Sequence, residues 1–509
     1  MLEMAFIRKI KSRGRVYLAE VENQRVDGKV VQKFIRYIGV EPNQDRKLFP
    51  SSNDELNISG VKVFGSIICL DSIARRLGFY ELFGDHAAAI LSLIYCHCHD
   101  YRSIVETEKW VKRTDLCKVF GVAEINEKHL RNGLSALENM DDFTLQKSIF
   151  EKMSAICDEK KSSPVIYDVT NTYLEGEHAG LARKGKDKEV VRGRRLIQIG
   201  LGVTKKHGIP IFHQVHRGNI HDAKIFKEAI LLMQQYGLQG GTIVHDRGIT
   251  SKSSILELTS HHWKIIAGMS MHRHLKNIVS KMDFSKIENY RNRIEQGESV
   301  FYVHTVPHLL GNVKGRLVIL FNPLKMQAQK EDRKAKITDA KELLENKKEI
   351  DPEFKKYFTK KNSVNAHALK REERFDGISL LFVTGKFSRE EIVRLYFEKD
   401  LIEKLFQLFK GSLALRPIRH WLDGKIRAHV MICYLSYCLL TTFRFLLHKN
   451  SSQTHLKDLS VEKALNEIAD VYRVYFNAKG GVEKQFSKLI TLSELQNKIM
   501  RAVCPEIEL

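Results

Sequence analysis

Residues 165–176 read VIYDVTNTYLEG. Val165, Ile166 and Tyr167 follow Pro164 and open a strand, yet Asp168 arrives where that strand should still be buried. Aspartate is among the poorest strand formers, and an unpaired buried carboxylate is costly to keep ionised. A lone Asp at this place usually serves as a turn residue capping the next segment. The alternative needs other carboxylates that could meet it.

Asp246 repeats the situation, since TIVHDRG sets an acid at the carboxyl end of an apolar strand ahead of a glycine. Two strand-end acids on strands expected to be neighbours can share a divalent cation. Hard oxygen ligands suit Mg²⁺ or Mn²⁺ and are typical of phosphodiester chemistry. A third acid is sought in RLYFEKDLIEKLFQLFKGSLALRP (394–417), read as one helix. At 100° per residue, Tyr396, Lys399, Glu403 and Lys410 fall within about 60° of one another. Ile402, Leu405, Phe406 and Phe409 form the adjoining apolar stripe. The stripe can pack on a sheet while Glu403 completes a metal site and the lysines hold a DNA phosphate. Taken alone, the same charges describe an ordinary helix with solvated Glu–Lys pairs. Glu390, Glu391 and Glu398 are nearby rivals.

A chain of 509 residues is expected to form two to four domains rather than one core. Its hydrophobic fraction of 43% is ordinary for a folded, soluble protein. No charged-then-apolar leader is expected at the start. The most apolar run, VMICYLSYCLLTTFRFLL (430–447), contains Arg444 and several polar residues, so it reads as a buried core helix and no membrane partner is expected. Lys and Arg outnumber Asp and Glu by 83 to 61, a net charge of +22 spread along the whole chain. Such a field favours a polyanion, and nucleic acid is the expected partner. Eight scattered cysteines without CxxC spacing suit a reducing cytoplasm. Residues 96–99, CHCH, lie in a helical pattern where adjacent side chains diverge, so no zinc cluster is expected among them. The same context argues against His97 and His99 as the histidine pair of a nicking nuclease.

Along the chain, residues 1–50 read as a basic region with a hairpin at 15–38 turning at Asp27-Gly28. Residues 60–157 are helical and basic, expected to bind DNA ends or simply to pack. From 158 to 284 the order is β-β-β-α-β-α-β, which describes a mixed sheet with helices on its faces. A charged interval with strand candidates fills 285–370. The apolar strand pattern restarts at FDGISLLFVTG within 371–450, and 451–509 is expected to be helical. GLARKGKD (180–187) falls one residue short of a Walker A loop, with Asp187 in place of the required Ser/Thr, so it reads as a basic loop and no ATP dependence is expected.

YDVTNTYLEG, then IVHDRG, then Y-x2-K-x3-E-x6-K together resemble the DDE transposases of bacterial insertion sequences, the IS-four family type. That family's signature is Y-x2-R-x3-E-x6-K, and Tyr396, Lys399, Glu403 and Lys410 fit its spacing with Lys399 in place of Arg. The substitution removes a planar bidentate grip on phosphate. The resemblance spans nearly the whole chain. It implies an α/β, ribonuclease-H-like mixed-sheet core, interrupted by a β-containing insertion and flanked by an N-terminal hairpin plus helical region and a C-terminal helical region. It implies Asp168, Asp246 and Glu403 as a metal-binding catalytic triad for Mg²⁺, with Mn²⁺ able to substitute. Tyr396, Lys399 and Lys410 would contact double-stranded DNA at terminal inverted repeats, joined by Arg247 and Arg416. The expected activity is DNA cleavage and strand transfer into target DNA by a homodimer on paired ends, in a bacterial cytoplasm beside the nucleoid. A structure-selective nuclease with the same core, or a catalytically inactive DNA-binding descendant, are the alternatives. No tryptophan occurs in the charged interval, so the resemblance does not extend to an aromatic that holds a flipped base.

Overall fold

The computed structural model describes residues 5–12, 15–26, 29–40, 56–99, 102–160, 162–174, 179–185, 187, 193–238, 240–248, 250–346, 348–398, 400–411, 413, 415–416, 418, 420–449, 455–478 and 484–507. The chain opens with β1 (Ala5–Ser12), β2 (Arg15–Val26) and β3 (Lys29–Val40), an antiparallel three-stranded sheet. The expected hairpin is therefore two strands of three, and its Asp27-Gly28 turn lies outside the described residues. Cross-strand pairs such as Arg36–Glu20 at 2.6 Å and Lys33–Glu22 at 3.5 Å tie part of its positive charge to acids.

A helical body follows β4 (Leu56–Val63). It comprises α1 (Gly65–Arg76), α2 (Phe79–Phe83), α3 (Ala87–His99), α4 (Ile104–Arg113), α5 (Leu116–Phe120), α6 (Glu127–Glu138) and α7 (Asp142–Ile156). Side-chain caps set several starts: Asn126 accepts from the His129 amide, and Asp141 accepts from the Thr144 amide. α3 is apolar around nearly its whole circumference, which demands burial on all sides.

The central region alternates strands and helices: β5 (Val165–Tyr173), the two-residue β6 (Arg183–Lys184), β7 (Arg195–Thr204), β8 (Pro210–Arg217), α8 (Asp222–Gln235), β9 (Thr242–His245), α9 (Lys252–Ser260) and β10 (Lys264–Met269). Next come α10 (Arg273–Ser280), α11 (Phe284–Ile287), β11 (Arg293–Gln296), β12 (Ser299–Leu310), β13 (Val313–Phe321), α12 (Pro323–Glu345), α13 (Ala366–Glu373) and β14 (Ile378–Val383). Among the described residues, ten of these strands make one mixed sheet, ordered β11-β12-β13-β14-β10-β9-β5-β7-β6 with β8 also on β7. β5, β7 and β8 form an antiparallel meander, and β9 and β10 add to β5 in parallel. The strands of the 285–370 interval do not stand apart: β11–β13 extend the same sheet through β14.

The last part holds α14 (Arg389–Phe397), α15 (Asp400–Lys410), α16 (Asp423–Lys449), α17 (Val461–Ala469), β15 (Tyr472–Ala478), β16 (Lys484–Leu489) and α18 (Glu494–Val503). The expectation of a purely helical C-terminus is corrected here. β15 and β16 form a hairpin, and β15 pairs with β4 from the other end of the chain. Its short YRVYFNA run is held as a strand by a partner more than 400 residues away, which no local pattern announces. α16 is long and apolar enough to cross a membrane, but 89% of its apolar window is buried inside the protein, against α1, α3, α6 and β8.

Candidate active site around β5 and β9

The strand pairing sets β5, which carries Asp168, beside β9, which Asp246 follows. Val165 stands opposite Ile243 and Ile166 opposite Val244 in the parallel β5–β9 ladder. Asp168, the fourth of nine residues in β5 rather than its end, lies two positions beyond Ile166, and Asp246 lies two beyond Val244, just past β9. β5 is long because β7 pairs along its whole length, so Asp168 stays in extended backbone opposite Leu201. β9 ends at His245, and Asp246 begins the turn. Both acids are half-buried.

Packing beneath the site explains several small residues. Tyr167 is fully buried against Phe226 and Phe212, and its hydroxyl lies 3.1 Å from Gln214 Oε1, to which it donates. A methyl group on Gly200 would sit 2.1 Å from that hydroxyl, so β7 carries glycine there because the phenol fills the space. The loop after Asp246 is braced by Thr250, whose hydroxyl donates to the Gly268 carbonyl at 2.8 Å and lies 3.1 Å from the Asp246 carbonyl.

The expected single helix over 394–417 is corrected. Tyr396 lies on α14 and Glu403 on α15, with a turn between them in which the Leu401 amide bonds to the Glu398 carbonyl at 3.1 Å. A single helical face across the break does not exist, and the two helices pack on the sheet separately. α14 packs across β9, β10 and β11, and its Tyr396 hydroxyl donates to Asp246 Oδ1 at 3.1 Å. α15 packs on β5, the strand that carries Asp168. Burial, followed by the negative charge of Asp246, pushes the Tyr396 phenol above its usual range, and the nearby charge of Glu403 acts in the same direction. Tyr396 is thus a neutral donor to Asp246.

Glu403 is exposed on α15, while Ile402, Leu405, Phe406 and Phe409 are buried beneath it, as the apolar stripe required. Lys410 ends α15 and is half-buried. Lys399 lies outside the described residues. Arg247 is exposed next to Asp246, and Arg416 is half-buried in the segment after α15. That segment returns to the sheet, where Ile418 bridges Leu174 just past the end of β5. The rival acids have other places. Glu391 Oε2 accepts from the Ser388 amide at 2.8 Å in the capping box of α14, Glu390 lies in the same first turn, and Glu398 is ion-paired with Lys205.

Two residues at the site were not singled out by sequence. Gly268 on β10 is one: a Cβ there would meet the Tyr396 hydroxyl at 2.7 Å, the Arg247 amide at 2.8 Å and Asp246 Oδ1 at 3.1 Å. An isolated glycine within the apolar run WKIIAGM was the available signal for such a close approach. Asp222 is the other. It starts α8, accepts from Gln198 Nε2 at 2.7 Å, and its Oδ2 comes within 3.9 Å of a Cβ on Gly248 in the Asp246 turn.

No protein-family profile matches the chain, and no curated protein matches it in sequence. Among solved structures, it is similar to a piggyBac transposase in a synaptic complex with hairpin DNA. The identity is 10%, 79% of each chain is covered, and the TM-score is 0.39. That likeness carries no functional argument. The site must carry it.

Proposed function

We propose that this chain is a DDE-type DNA transposase that cuts the ends of an insertion element and joins the freed 3′-hydroxyls to target DNA. The observation that carries this is the parallel pairing of β5, which bears Asp168, with β9, which Asp246 directly follows, together with the Glu403 helix packed on β5 and the Tyr396 hydroxyl on Asp246. The strand order β8-β7-β5-β9-β10, a meander with two parallel additions, supports a ribonuclease-H-like core. Carboxylate oxygens are hard donors of the kind that suits a divalent cation of the Mg²⁺ or Mn²⁺ type. When bound, that ion would activate water or a DNA 3′-hydroxyl and stabilise the departing 3′ oxygen.

The chain's own residues supply position and charge. Asp168, Asp246 and Glu403 would hold the ion, and Tyr396 fixes the rotamer of Asp246 through its hydrogen bond. Arg247, Lys410 and Arg416 lie on segments that adjoin the acids, where they would hold phosphates of the DNA ends, and Lys399 is assigned the same role by its place in the signature. The net charge of +22 supports DNA as the partner. Two-ended chemistry calls for a homodimer on paired ends, working in the bacterial cytoplasm.

The test is a plasmid carrying the DNA that flanks the gene, incubated with purified protein and Mg²⁺ beside Glu403→Gln and a metal-free control. Boundary cuts followed by joined products, lost in Glu403→Gln while end binding persists, are expected. Cuts without end preference or joining would replace the transposase with a nuclease of the same core. Normal cleavage by Glu403→Gln would remove the third acid from the site.

A further inference from the structure

Away from the carboxylates, α3 and α16 cross in the core with an unusual set of side chains between them. His97 projects from α3, and His429 and Cys433 project from α16 at i and i+4, hence from one face. All three are buried, with exposures of 4%, 2% and 0%. Their donor atoms lie within 4.8 Å of one another, and His429 Nε2 is 4.0 Å from Cys433 Sγ. His97 Nδ1 lies 2.9 Å from the Leu93 carbonyl and donates to it, a contact that leaves Nε2 as the ring's lone-pair nitrogen. That backbone bond is the outer-shell arrangement by which proteins orient an imidazole toward a metal. The cluster borders a cavity of about 490 Å³ that His420 also lines, with its ring centroid 5.7 Å from that of His429.

We infer that His97, His429 and Cys433 form a site for a zinc-type cation, with His420 on the cavity side supplying the fourth ligand. Imidazole and thiolate donors suit Zn²⁺ rather than the hard ions expected at the carboxylates. Tetrahedral bonds of about 2.1 Å to nitrogen and 2.3 Å to sulfur set neighbouring donors about 3.5 Å apart. Binding requires the observed spacing, within 4.8 Å, to close to that value. On binding, the Cys433 thiol gives its proton to solvent, and its hydrogen bond to the Leu413 carbonyl (3.4 Å) is exchanged for a metal–sulfur bond. The other members of the CHCH run stay outside. Cys96 accepts from Thr107 at 3.6 Å, and the Cys98 thiol faces the Ser436 carbonyl at 3.8 Å. The ligand set is invisible to a local motif search because 332 residues separate His97 from His429.

The site would fasten the helical body to α16. Through His420 it would also fasten the segment that runs from α15, which carries Arg416, into α16. It is therefore a structural clamp on the frame around the carboxylates and separate from them.

Cobalt(II) titration of the full chain tests the inference, in a background carrying Asp246→Asn and Glu403→Gln so that the carboxylates contribute no site. One equivalent of Co²⁺ giving a thiolate-to-cobalt charge-transfer band with tetrahedral d–d bands, displaced by Zn²⁺ and absent in Cys433→Ser, is expected. No thiolate band in the Cys433-containing chain would overturn the site, and that measurement needs no cluster variant to fold. A band that persists in Cys433→Ser would place the metal on another cysteine and overturn it equally. Metal analysis of protein purified without chelator should give one zinc per chain, reduced at least tenfold in His97→Ala.

Discussion

Gly268 and Tyr396 show how tightly single residues set this site. The Tyr396 hydroxyl reaches Asp246 across β10 because Gly268 has no side chain. Gly268→Ala is therefore expected to displace Tyr396 or Asp246 and to lower Mg²⁺-dependent cleavage by about tenfold or more, the loss typical of a disturbed outer-shell partner. Tyr396→Phe removes the hydrogen bond without crowding and should give a similar loss. Cleavage rates measured beside thermal melts would separate the two effects, and wild-type cleavage by both variants would deny Tyr396 its orienting role. Asp168 was legible in sequence as an acid in a strand, and so was its repetition at Asp246. Gly268 was legible only as an isolated strand glycine, since its reason for being there sits on another element.

At the scale of elements, α14 depends on the strands that sequence reading set apart as an insertion. Phe301 of β12 stacks on Phe397 of α14 with ring centroids 4.4 Å apart, and Ile392, Val393 and Leu395 share one buried cluster with Val303, Val318 and Leu381. Strands from 285–370 thus support the helix that presents Tyr396. Phe301→Ala should cost about 3–5 kcal/mol and reduce cleavage through Tyr396. Ser388, whose hydroxyl accepts from the Glu391 amide at 3.1 Å, caps the same helix, and Ser388→Ala should cost about 1 kcal/mol. Chemical denaturation of both variants checks the order, with Phe301→Ala the larger. The break between α14 and α15 could not be read from periodicity, because the hydrophobic pattern runs through it and neither proline nor glycine marks it.

Over the whole molecule, buried histidines make stability depend on pH. His213 is buried against Tyr434, and its ring Nδ1 lies 2.9 Å from Gln146 Oε1. Burial first, and then the charge of Arg427, hold its pKa down to about 3. An unfolded histidine titrates near 6.5, so between about pH 6.5 and 3 the unfolded chain binds the extra proton. Stability should fall with acidification across that window, at up to about 1.4 kcal/mol per pH unit for this group. Denaturation midpoints for His213→Gln should show a shallower slope, and an unchanged slope would assign the effect elsewhere. The net charge of +22 makes a second whole-chain prediction. End binding should weaken steeply with salt, by about 10³-fold or more between 50 and 200 mM if six or more phosphates are neutralised. A flat salt response would remove DNA phosphates as the main source of affinity.

By itself the sequence determined the nature of the central region, its alternation of strands and helices, and the placing of one acid within an apolar strand and another just after a second strand. These follow from local patterns: runs of Val, Ile and Leu, turn residues, and a polar group where an apolar one belongs. It also determined that α16 is a buried helix, through polar residues spaced along an apolar run. Only the tertiary structure decided that β11–β13 extend the core sheet, that β15 pairs with β4, and that Tyr396 and Glu403 lie on separate helices. It alone brought His97 to His429 and Cys433. Each of those is a pairing between distant segments, fixed by which buried surfaces fit together, and no stretch of neighbouring residues carries that information.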